Sequence, residues 1–68
     1  MEREIIITTR DRLLRGWQNS MEMVRDFETY AKECKDDGNA ANLFRQFAED
    51  EGHHAAQFRT LLQQYQDS

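Results

Sequence analysis

Two runs of apolar residues at helical spacing, broken once by a polar turn, fix most of what this chain can become. Leu13, Leu14, Trp17, Met21, Val24, Phe27, Ala31 and Cys34 form the first run. Leu43, Phe44, Phe47, Ala48, Ala55, Phe58, Leu61, Leu62 and Tyr65 form the second. Both repeat at i, i+3, i+4 and i+7, as one buried stripe of a helix does, and neither alternates like a strand. Between them lies Lys35-Asp36-Asp37-Gly38-Asn39. Gly38 suits the left-handed residue just past a helix end, and Asn39 suits the N-cap of a following helix. Lys32 and Lys35 stand where cations complement the helix dipole. Thr8 or Thr9, followed by Asp11, suits the start of the first helix. The spacing predicts a helix over about 9–36, a turn at about 37–39 and a second helix over about 40–65. The β-branched stretch from Glu4 to Thr8 reads either as extended chain or as a preceding helical turn. The expected fold is all-α, a single domain made of an antiparallel two-helix hairpin.

A hairpin of this kind is half of a core. Below about 70–80 residues one core rarely supplies more than about 3–5 kcal/mol without a staple, and the chain has 68 residues. Cys34 is the single cysteine, which excludes a disulfide framework. One cysteine and two adjacent histidines cannot close a zinc-finger cage. The longest apolar run, Ile5-Ile6-Ile7, is far short of a membrane span. Hydrophobic residues are only 38% of the chain, yet it has no proline, three glycines, and one Trp, two Tyr and four Phe, which runs against disorder. Two hairpins pairing about a two-fold axis into a four-helix bundle close the core, so a homo-oligomer is expected, a dimer or a multiple of dimers. A net charge of −4 argues against nucleic acid and against anionic membrane surfaces. No further protein partner is readable. The charged start Met1-Glu2-Arg3-Glu4 has no signal-like apolar stretch behind it, and a free Cys34 fits a reducing compartment, so the expected location is cytoplasmic.

Polar residues on the apolar stripe carry the functional reading. At about 100° per residue, Phe47, His54, Phe58, Leu61 and Tyr65 share one line of the second helix, with Phe44 and Glu51 beside it. Glu51 and His54 therefore stand one turn apart near the middle of the face expected to be driest. A buried carboxylate needs a partner or a proton. A divalent metal satisfies both groups at once. Bundles that hold two metal ions take a Glu from each of two helices and Glu-x-x-His from the other two. This chain has one Glu-x-x-His, Glu51-Gly52-His53-His54, and two copies double it. The alternative is structural: Glu51 paired with Arg45 or Arg59 across a dimer, and His54 a satisfied core histidine. His53 points off the stripe. Trp17, Phe27, Phe44, Phe47 and Phe58 are expected in the core, and Cys34 as a small buried filler near the turn.

The run Leu43-Phe44-Arg45-Gln46-Phe47-Ala48-Glu49-Asp50-Glu51, continuing to His54-Ala55, resembles the metal-binding helix of rubrerythrin-like and ferritin-like di-iron carboxylate proteins. The likeness covers the second helix closely, and the turn and the Phe27–Ala31 region loosely. The two-helix size also resembles the ferritin-like cargo of encapsulin shells, which assembles its di-iron site across a dimer interface. The resemblance implies a ferritin-like four-helix bundle that holds iron, with manganese and zinc suiting the same donors. It also implies ferroxidase or peroxide-reducing chemistry if two ions sit together. The resemblance places a first-helix Glu about thirty residues before the Glu of Glu-x-x-His, and here that place is Met21. Glu22 is its neighbour and lies at matching depth, roughly 24 Å from the turn. Glu28 lies in line with the apolar stripe but only about 15 Å from the turn. The metal set is thus Glu51, His54 and either Glu22 or Glu28. The competing expectation is a metal-free dimerisation or protein-interaction module with a degenerate site.

Overall fold

A computed structural model describes residues 6–67 as two helices, α1 over Thr9–Glu33 and α2 over Gly38–Asp67. Thr8, in extended conformation (φ −85°, ψ 165°), caps α1. The Asp11 N–H donates to Thr8 Oγ1 at 3.1 Å, and the Thr8 N–H donates to Asp11 Oδ2 at 3.1 Å, so two otherwise orphaned amides satisfy each other's residue. The expected Thr–Asp start is therefore a reciprocal capping box on Thr8. The stretch from Ile6 to Thr8 precedes the helix; Glu4 and Ile5 lie outside the described residues.

The reversal differs from the expected one. α1 stops at Glu33, short of the expected 36, with the Cys34 N–H donating to the Tyr30 carbonyl at 2.9 Å. α2 begins at Gly38 itself and runs past the expected 65. No described residue has positive φ, so Gly38 is not a left-handed cap, and Asn39 is not the N-cap. Asp37 takes that role: its Oδ1 accepts from the Asn39 N–H at 3.0 Å and from the Ala40 N–H at 3.2 Å. A charged acceptor at the positive end of the α2 dipole outcompetes a neutral amide two residues on.

The helices meet along a seam of small residues. Ala41, Ala48, Ala55 and Leu62 are buried and fall every seventh residue of α2. Ala31 and Ser20 are the buried residues of α1. A strict seven-residue repeat keeps one line of a gently supercoiled pair in contact. Near the turn, Phe27 stacks on Phe44 (centroids 5.9 Å, 29°) and meets Phe47 at 5.9 Å, while Tyr30 meets Phe44 edge-on at 5.4 Å. Toward the open end, the Phe58 ring lies directly on Gly16, where an added Cβ would stand 2.6 Å from Phe58 Cζ.

The result is a ribbon one helix thick, 56 × 31 × 11 Å. Its radius of gyration is 16.4 Å, against about 11 Å for a compact chain of this length. A single layer cannot surround a large side chain. Trp17, Phe27, Phe44 and Phe58 are accordingly half-buried, Phe47 is exposed, and Cys34 is half-buried rather than enclosed. The expectation of a large-residue core is corrected on this point: among the described residues, the hairpin alone encloses only small residues and Leu62.

Candidate metal centre

Glu51 and His54 stand at the middle of α2, one turn apart, so their side chains rise from the same side of the helix. His54 Nδ1 lies 3.3 Å from Glu51 Oε1. That is longer than the usual 2.7–3.2 Å of an N–H···O bond. The two groups form a one-turn hydrogen-bonded contact, and the same separation would let both touch one ion at about 2.1 Å each. The Glu51 side chain is 25% exposed and that of His54 54%, so the face expected to be driest is open in a single hairpin. Within the hairpin, the Arg45 guanidinium donates to Asn42 Oδ1 at 2.6 Å. His53 is exposed, as expected.

The groove around the pair is lined by Leu13, Ser20, Glu51, His54, Gln57, Phe58 and Leu61. From α1, the side chain at the level of Glu51 is thus the buried Ser20. Glu22 is exposed and lines a depression whose other walls, among them Arg15, Gln18 and Arg25, all belong to α1, which puts it on the outer surface of that helix. Glu28 is also exposed. It lies two helical turns on from Met21, and Met21 with Trp17 lines a different groove, against Gly52, Ala55 and Arg59. Glu28 therefore belongs to the broad face opposite the one that carries His54. Among the described residues, no three His, Cys, Asp or Glu side chains stand together as a metal group. Glu51 and His54 come together; Glu22 and Glu28 join neither them nor one another.

Ser20 escaped the reading of apolar stripes, although a signal for it exists. The seam of α1 runs Leu13, Trp17, Ser20, Val24, Phe27, Ala31, and that of α2 runs Phe44, Ala48, Glu51, Ala55, Phe58. Each row has one polar interruption. The antiparallel pairing brings the two interruptions to one level.

Around this pair the surface carries a row of apolar side chains, with Asp50 and Gln57 beside it. Leu43, Phe47, Leu61 and Tyr65 are 41–48% exposed. Leu43 and Tyr65 each lie eleven residues from His54, and Phe47 and Leu61 each seven. Seven and eleven residues return a helix to nearly the same face, so these four and His54 form one stripe, symmetric end to end. No described helix is long and apolar enough to cross a membrane. The family model described as rubrerythrin matches residues 3–68. No curated protein and no solved structure matches the chain.

Proposed function

The chain belongs to the rubrerythrin family, and from that premise we propose that two copies of it hold a first-row metal ion, iron by family, between Glu51 and His54 of each. The pairing of a carboxylate and an imidazole one turn apart on one face of α2, with Nδ1 3.3 Å from Oε1, supports the reading, because both atoms can reach one ion. Carboxylate and imidazole are donors suited to iron, and also to manganese and zinc. The second copy is argued from surface. The hairpin exposes 5908 Å², where a compact chain of its mass exposes about 4,500 Å². The excess is larger than the roughly 800 Å² that each partner buries in a stable complex.

Symmetry supplies the arrangement. A two-fold axis crossing α2 at His54 lays the second copy antiparallel, Leu43 against the other Tyr65 and Phe47 against the other Leu61. Contacts of this kind are reciprocal, as an isologous interface requires. The same operation brings both Glu51–His54 pairs to the middle of one four-helix bundle, where apolar neighbours exclude water. The resident chemistry of the family is a pair of irons, which would supply oxidation of Fe(II) or reduction of peroxide. The donors assembled by Glu51 and His54 fall short of a two-ion set, and no step of that chemistry is assigned to this chain.

Metal analysis of protein purified from iron-supplemented medium tests the reading. Bound metal is expected in the native chain and its loss, by tenfold or more, in Glu51→Ala and His54→Ala. A native protein without metal, whose two variants are equally stable, would overturn it in favour of a metal-free interaction module.

A further inference from the structure

We infer that the paired chains hold one metal ion at this centre and not two, in a set of two carboxylates and two imidazoles; the inference rests on the metal reading above. A two-ion centre needs bridging carboxylates that keep the ions about 3.5–4 Å apart. In a bundle of this kind four Glu and two His supply them. Here, of the described His, Cys, Asp and Glu side chains, each hairpin brings Glu51 and His54 to the groove, beside the neutral Gln57. The place on α1 at the same level is filled by Ser20, a short neutral side chain buried in the seam. Glu22 is on the outer surface of α1 and Glu28 on the opposite broad face, so neither reaches the groove without a turn of the helix about its axis. Such a turn would draw Ser20 and Ala31 out of the seam and the larger neighbours in.

Charge points the same way. One divalent ion and two carboxylates sum to zero. Two divalent ions held by Glu51 and its symmetry copy alone leave an excess of two positive charges, and the next carboxylate on that side of α2, Asp50, is exposed and does not line the groove. The 3.3 Å separation of Nδ1 and Oε1 fits the edge of a four-coordinate site, which two such pairs complete.

The test is titration of the full chain, stripped with a chelator, with Co²⁺ alone. The d–d absorption of the bound ion and mass analysis of the dialysed protein give the stoichiometry. Saturation is expected at one ion per two chains, unchanged in Glu22→Gln and in Glu28→Gln. Ser20→Glu, with its fold checked by circular dichroism, is expected to double the capacity to one ion per chain. Saturation of the native protein at one ion per chain would overturn the single-ion centre and leave the metal reading standing. A twofold or greater loss of capacity in either Glu22→Gln or Glu28→Gln would overturn it too, as would a folded Ser20→Glu with unchanged capacity. No uptake at all would instead sink the metal reading itself.

Discussion

Gly16 and Gly52 are both helical, and the structure gives them opposite roles. A Cβ at Gly16 would meet the far end of the Phe58 ring at 2.6, 2.8 and 3.1 Å, so the ring must shift. Overpacking of this kind costs about 1–3 kcal/mol, offset by up to about 1 kcal/mol of helix propensity. Gly52 has nothing within 4 Å of an added Cβ. Gly16→Ala is therefore expected to lower stability by about 1–2 kcal/mol, and Gly52→Ala to raise it by about 0.5–1 kcal/mol. Urea midpoints at one fixed protein concentration check both; equal shifts would mean that Phe58 does not rest on Gly16. The single residue is also where sequence reading of the site stopped. Glu51 and His54 stood out because an acid and an imidazole interrupt an apolar line. Ser20 did not, because a small hydroxyl residue looks the same in a tight seam as on a wet surface. Glu22 and Glu28 were attractive by depth and by stripe respectively, but depth ignores rotation about the axis. A stripe drawn over both broad faces does not say which of them holds the partner groups.

At the scale of the element, periodicity was sufficient for two helices and insufficient for their ends. Spacing of apolar residues repeats over many turns, so one irregular position does little harm. A cap depends on a single side chain, and Asp37, Gly38 and Asn39 all qualify by type. Only the geometry of the reversal selects Asp37, whose carboxylate meets two amides at once. The first turn of α1 depends on a carboxylate as well. The Thr8 backbone N–H, then the Thr8 hydroxyl contact and the nearby Arg10 charge, hold the Asp11 carboxyl below its ordinary value of 3.8. A depressed acid stabilises the folded state above its unfolded pKa, and that contribution is lost as pH falls through the folded value. The first turn of α1 is thus expected to fray below about pH 4 and to stay formed above it. Amide shifts of Thr8–Arg12 followed through that range report it. In Asp11→Asn the same amides should lose this pH dependence; an unaltered titration in that variant would show that another group governs the turn.

For the whole molecule, the proposed pairing along the stripe centred on His54 would make association and metal binding one event. Phe47→Glu puts a carboxylate against Leu61 of the second copy and is expected to weaken association by roughly a hundredfold. Sedimentation at micromolar concentration should move from about 16 kDa, twice the chain, toward the 8.1 kDa of one chain, with the metal lost alongside. A native protein that sediments as a well-folded monomer would contradict the pairing. The 11 Å thickness of the ribbon has a consequence of its own. In a layer one helix deep, no amide of a lone hairpin is far from water, and opening by fraying has short distances to travel. Slow hydrogen exchange then traces the footprint of a neighbour on α2 more than the chain's own packing. Along Leu43–Tyr65, the amides that outlast the rest become a print of whatever lies across the stripe, and dilution alone should erase it.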